Sequence, residues 1–173
     1  MTRKAVLIAL VCFGLDHLLK FQITDSMDYG DRIPVWSFFD LVRWHNEGAA
    51  FSVLATAGGW QRWFFIVLGI GFSVYILYEL RRLPRDAAAM VWVYGLILGG
   101  ALGNLADRII QGYVVDFLLF HHGEWYFPAF NLADSFLFCG AVLWILLMII
   151  ESRQKRGDPH QAADQPASKR GAP

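Results

Sequence analysis

The sequence predicts an all-α membrane protein, four transmembrane helices with a small extracytoplasmic β-platform. Three observations carry that reading. Charged residues are 17% of the 173 and hydrophobic residues 56%, whereas soluble domains carry roughly 25% charge, so too little charge is present to cover a water-facing surface. Mean hydropathy is +0.40, and four stretches are apolar over the about 17–25 residues that a helix needs to cross hydrocarbon. Lysines and arginines gather in alternate connections between those stretches. Bases and acids balance at 15 each, so net charge gives no argument for a nucleic-acid partner and none is expected.

The first span is read over residues 5–21. Arg3 and Lys4 precede it in the manner of a signal peptide, but no small-x-small cleavage site follows, and Asp16 and Lys20 occupy its far end, so it reads as a retained helix. Residues 22–59 form the sizeable extramembrane piece. Their segment 33–45 is rich in β-branched and aromatic residues with partial alternation, which predicts a small β-structure lying on the outer leaflet. The second span is read over 60–78, the third over 87–106 and the fourth over 126–150, with 107–125 as a short connection dipping into the interface. Together residues 1–151 make one membrane core. Residues 152–173 have nothing to bury and read as a disordered tail.

Orientation follows from the basic residues. Arg3 and Lys4, then Arg81, Arg82 and Arg85, then Arg153, Lys155 and Arg156 all fall on one side, so both termini are expected to be cytoplasmic. Asp25, Asp28, Asp31, Asp40, Glu47 and Glu124 fall on the other. Trp36, Trp44, Trp60, Trp63 and Trp125 lie near the outer boundaries, as an aromatic belt does. Cys12 and Cys139 fall inside spans and read as packing residues. No zinc-ligand spacing, nucleotide loop or serine-hydrolase motif is present, so no metal or cofactor is expected.

Polar residues within spans carry the functional argument, because an aspartate there costs about 2.5–3.5 kcal/mol on insertion scales. Asp16 and Lys20, four apart, read equally as a helix-end ion pair with the lysine snorkelling outward or as part of a site. Gly95, Gly99 and Gly103 recur every four residues and predict a groove for close helix approach. Asn104 and Arg108 share a face at the end of the third span, where they hold a substrate or anchor the outer loop. Asn131 and Asp134 share a face of the fourth, with Asp134 placed roughly 12 Å below the boundary at about 1.5 Å per residue. Asp116 stands in the connection between those spans, close to Asp134. Two carboxyl groups brought together at a shielded site share one proton near neutral pH. One then activates water while the other hydrogen-bonds a scissile carbonyl, a chemistry suited to peptide hydrolysis at the membrane surface. An ion-coupled transporter would need charges through both leaflets, but the unusual ones gather outside. A scaffold would explain the glycines and leave the aspartates idle.

Five elements, in order, resemble the lipoprotein signal peptidases, or signal peptidase II family: Asp16-His-Leu-Leu-Lys20, Asn46-Glu-Gly-Ala-Ala-Phe-Ser52, Gly99-Gly-Ala-Leu-Gly-Asn-Leu-Ala-Asp-Arg108, Val114-Val-Asp-Phe117 and Phe130-Asn-Leu-Ala-Asp-Ser135. The resemblance implies an aspartic endopeptidase of the bacterial inner membrane. It would cleave diacylglyceryl-modified prolipoproteins just before the lipid-bearing cysteine, without cofactor or metal, near the outer leaflet. By position it implies Asp116 and Asp134 as the catalytic dyad. It implies Asn46, Gly48, Asn104, Arg108, Asn131 and Ala133 as residues shaping or holding the substrate, and Asp16 and Lys20 as a structural support. Membrane lipid and prolipoprotein are the implied partners, and a four-span monomer is expected. Residue 47 is Glu where the family commonly has Thr, and residue 19 is Leu where a polar residue is common. Segment 46–52 is expected to close over the scissile bond.

Overall fold

A computed structural model of the chain describes residues 1–48, 59–84 and 87–157. The element order is α1 (Thr2–Ser26), β1 (Arg32–Trp36), β2 (Phe39–Asn46), α2 (Trp60–Arg82), α3 (Ala88–Ile110), β3 (Val114–His122), β4 (Trp125–Tyr126) and α4 (Leu132–Gly157). All four helices are long and apolar enough to cross a membrane, in line with the sequence. Exposed leucines, valines and aromatics along α1, α2 and α4 are what a lipid-facing surface requires.

α3 is the hub. More than half of its most apolar stretch, 56%, is buried, against 28% for α1, 22% for α2 and 11% for α4. Its glycine row fits against α1: a Cβ on Gly95 would lie 2.8 Å from Ile8 Cβ, and one on Gly99 would lie 2.6 Å from Cys12 Cβ. The groove that the sequence predicts is therefore filled by the first helix. On its other side Gly100 admits the start of α4, against the Ala133 carbonyl. Ala5, Ala9, Ile76, Leu80, Val93 and Ile97 form the apolar core at the end remote from the sheet. Thr2 Oγ1 donates to the Leu80 carbonyl at 3.1 Å there, joining the start of α1 to the end of α2.

At the opposite end lies one antiparallel four-stranded sheet, ordered β1-β2-β3-β4. It takes in more of the chain than residues 22–59, because β3 and β4 come from the connection read as a plain link between spans. The segment 114–122 is rich in Val, Phe and Leu and largely buried over its first six residues, and pairs along β2 with Asn46 opposite Val114 and Trp44 opposite Asp116. Gly112, at φ +92°, turns the chain out of α3 into β3, a conformation that favours glycine. Arginines cap the helix ends facing the sheet. Arg43 donates to the Thr24 and Met27 carbonyls at 3.1 and 2.6 Å, and Arg62 donates to Arg108 and Ile109 at 2.9 and 3.0 Å, serving carbonyls that a helix end leaves unpaired.

Several boundaries differ from the sequence reading: α2 runs to Arg82 and α3 to Ile110, each four residues beyond the span read. α1 continues to Ser26, so residues 22–26 are helix. α4 starts at Leu132 and not at residue 126: Trp125 and Tyr126 pair with β3, Phe130 bridges to Leu118, and Pro128 lacks the N–H a helix interior needs. α4 also runs on to Gly157, so residues 152–157 belong to a helix and not to the expected tail. The rest of that tail and Arg85 lie outside the described residues.

Candidate active site

The site forms where α1, α3, β2 and β3 meet the start of α4. Asn131 immediately precedes α4. Its Oδ1 accepts the Asp134 N–H at 2.9 Å, and Asp134 Oδ2 accepts the Asn131 N–H at 3.2 Å. This reciprocal arrangement is a capping box built from Asn and Asp. Asp134 thus stands in the first turn of α4 and not eight residues inside a longer helix, as the sequence reading had it. It is half-buried and held by Asn104 of α3 and by Asn131, not by depth along its own helix. A helix N-terminus also suits a carboxylate there, since its unpaired N–H groups and dipole favour negative charge.

The spare donor of Asn131 completes the link. Its Nδ2 donates to Asp116 Oδ1 at 2.8 Å, and Asn46 Nδ2 donates to Asp116 Oδ2 at 3.0 Å. Asn104 Nδ2 donates to the free oxygen of Asp134, Oδ1, at 2.7 Å. Asp116 and Asp134 are therefore tied through one fully buried asparagine. Burial, and next the negative charge of Asp134, push the Asp116 carboxyl up to about 7 against the opposing pull of the Asn46 and Asn131 amides. Near neutral pH that carboxyl is poised between its two forms.

The other residues singled out from sequence fall around this pair. Gly48 N–H donates to Asn46 Oδ1 at 3.1 Å, which orients the amide toward Asp116. Arg108 donates to the Gly48 carbonyl and to the Asn104 carbonyl, both at 3.2 Å, and lies 4.9 Å from the Phe65 ring centroid. Glu47 is exposed. Ala133 is fully buried, its N–H donating to Asp16 Oδ1 at 2.8 Å and its Cβ facing Gly103, so it seats α4 within the bundle. The expected closure by segment 46–52 concerns residues 49–52, which lie outside the described residues.

Asp16 and Lys20 do pair at i,i+4, at 2.7 Å, but the lysine does not snorkel outward. It is 4% exposed and reaches Asp107 Oδ2 at 2.8 Å and Asn104 Oδ1 at 3.2 Å. Asp107 is the residue to which sequence reasoning gave no role. It holds Lys20 and accepts the Val115 N–H at 3.4 Å, fastening β3 next to Asp116. The signal was its place three residues after Asn104, on nearly the same helical face.

Beside Asn104 and Arg108, an apolar groove of about 310 Å³ opens between α2, α3 and α4, lined also by Phe65, Leu68, Phe72 and Leu137. The polar pair thus borders an apolar recess.

Comparison with known proteins agrees with this architecture. Solved structures described as bacterial membrane enzymes superpose with TM-scores of 0.78 and 0.71, at 30% and 31% identity, over 89% and 83% of this chain and 92% and 91% of theirs. A lipoprotein signal peptidase of Janthinobacterium sp. (strain Marseille) is 49% identical over 138 residues, 80% of this chain and 83% of its own. One of Alteromonas mediterranea is 43% identical over 165 residues, 95% of this chain and 88% of its own. Another, from Neisseria meningitidis serogroup C, is 48% identical over 155 residues, 88% of this chain and 92% of its own. The family model described as signal peptidase (SPase) II matches residues 8–150, and the chain belongs to that peptidase family.

Proposed function

We propose that this chain removes signal peptides from diacylglyceryl-modified prolipoproteins, as an aspartic endopeptidase cleaving just before the lipid-bearing cysteine. The observation that carries the reading is the pairing of Asp116 and Asp134 through Asn131. One carboxyl is protonated and the other ionised. The ionised group takes a proton from water as the hydroxyl oxygen attacks the scissile carbonyl, and the protonated group hydrogen-bonds the carbonyl oxygen as negative charge builds there. Collapse of the tetrahedral intermediate breaks the C–N bond, and the leaving nitrogen receives the proton drawn from water. This sequence needs neither a metal nor a covalent intermediate.

The surroundings support a substrate that sits in lipid. The apolar groove beside Asn104 and Arg108 suits the apolar stretch of a signal peptide, and its polar border suits the backbone near the cleavage point. The sheet end carries the acidic residues and exposed tryptophans, while Arg81 and Arg82 end α2 at the far side. On the positive-inside rule this supports a bacterial inner-membrane protein with both termini cytoplasmic and the site near the outer leaflet. A monomer contains every group named.

The test is a gel-shift assay with purified protein and a lipidated prolipoprotein. Wild type is expected to convert it, and Asp116→Asn and Asp134→Asn each to lose about 10²–10⁴-fold in rate, the usual worth of a positioned acid or base. Normal cleavage by either variant would sink the dyad.

A further inference from the structure

The mechanism leaves one buried cation without a part in the chemistry. Lys20 is surrounded by three acceptors on two helices: Asp16 Oδ2 on α1, and Asp107 Oδ2 and Asn104 Oδ1 on α3, at 2.7, 2.8 and 3.2 Å. An ammonium has three N–H donors and no acceptor; here it hydrogen-bonds Asn104 Oδ1 and pairs with the two carboxylates as ions. Charge pairing is already supplied by the two carboxylates, and the contact with Asn104 is in excess of it.

That extra contact determines which way round an amide lies. An asparagine side chain presents an oxygen that accepts and a nitrogen that donates, in nearly the same shape. Because Lys20 can only donate, it is satisfied by the Asn104 oxygen alone. The amide nitrogen then lies on the side of Asp134, where it donates to Oδ1 at 2.7 Å. Turned over, the amide would set N–H against ammonium and oxygen against carboxylate, so both contacts would become repulsive. We infer that Lys20 is a positioning residue, fixing the orientation of the Asn104 amide so that Asp134 always meets a donor. Asp107 and Asp16 hold the lysine in turn, and Asp16 also holds the α4 backbone through Ala133 N–H. Gly103 leaves the room for this, since a Cβ there would lie 2.7 Å from Asp16 Oδ2.

The inference rests on the reading of Asp134 as half of the dyad, and one experiment separates the two. The full-length protein in lipid nanodiscs is assayed on a lipidated prolipoprotein as wild type, K20M, K20Q, N104A, K20M/N104A and D134N, with kcat expressed per folded molecule. K20M and N104A are each expected to lower kcat by about tenfold, within the coupling range of contacting residues, with KM changed less than about twofold. K20M/N104A should be no slower than either single variant, because both remove the same relay. K20Q, which keeps an N–H toward the Asn104 oxygen, should recover part of what K20M loses. A lysine that only braces the fold would lower the yield and melting temperature and leave kcat per folded molecule unchanged. That result, or losses that multiply in K20M/N104A while D134N is inactive, overturns the relay alone; a D134N protein that cleaves normally overturns the dyad and the relay with it. If K20M yields no folded protein, K20Q, N104A and K20Q/N104A carry the same cycle.

Discussion

The two sides of α3 are built to different standards. Toward α1 and α4, backbones meet at glycine, polar groups interlock, and the candidate dyad is held by side chains from β2, α3, β3 and the α4 N-terminus. Toward α2, Arg62 ties the sheet end of the contact to two α3 carbonyls, but the rest is mainly a band of apolar side chains around Ile66, Ile76 and Leu80, and the groove at Phe65 and Phe72 stays open. The difference separates two tasks that one packing density could not serve. Carboxyl groups that share a proton need a rigid frame, since misplacement of about 1 Å can cost on the order of 100-fold. A chain that enters and leaves through lipid needs a wall with few such locks.

Glycine replacement tests this contrast most severely. Gly99→Leu would drive a Cβ to 2.6 Å from Cys12 Cβ and 2.8 Å from the Ala9 carbonyl, whereas a Cβ on Gly69, the α2 glycine that faces α3, would meet Leu105 Cδ1, the end of a flexible side chain, at 3.3 Å. The first change is expected to cost about 1–3 kcal/mol or more, as overpacking does, and Gly69→Ala much less. Melting curves of both variants in one detergent decide it; equal melting temperatures would remove the distinction between the two sides.

A pH series of stability tests the frame in a second way. The Asp116 carboxyl titrates near 7 in the folded protein, above the ordinary range it has when unfolded, so the folded state binds its proton more tightly. Its contribution is full below pH about 4 and is lost as pH rises through about 7. Asp40 on the sheet has the opposite sign. Burial pushes its carboxyl up, but hydrogen bonds from Arg32 and His121 outweigh that and hold it below the ordinary range, so its contribution is present at higher pH and lost on acidification. Asp116→Asn should flatten the decline from pH 4 to 7 and leave any acid-side loss intact. An Asp116→Asn curve parallel to wild type would contradict the assignment.

The smallest expected effect belongs to the open side. Phe72→Ala widens the groove without touching the polar network, and should raise KM several-fold with little change in kcat, the signature of binding lost equally from ground and transition states. A fall in kcat at constant KM would mean that α2 takes part in positioning the dyad.

How far the sequence revealed this arrangement depended on whether a residue's neighbours were near in the chain. The spans were legible from hydropathy, and the row Gly95, Gly99, Gly103 announced a close helix contact because its period is a property of one helix. The start of α4 was not, since residues 126–130 are as apolar as a span and only strand pairing and Pro128 keep them out of the helix. Asn131 and Asp134 were found for their polarity, although the capping box that joins them is itself a local motif readable as N-x-x-D before an apolar run. Lys20 was left between two readings because its surroundings come from elsewhere: whether a lysine snorkels or turns inward depends on the space beside Gly103 and on Asp107, both more than 80 positions away.

The contact between Asp16 and the Ala133 N–H bears on how such a protein is made. Asp16 lies in α1 and Ala133 at the start of α4, 117 residues later in the chain, so the seat that orients Asp134 cannot exist until α4 has been inserted. Every shorter nascent chain lacks one carboxyl and the asparagine that joins the pair. On the reading of Asp116 and Asp134 as a dyad, the pair is thus completed only when α4 is in place.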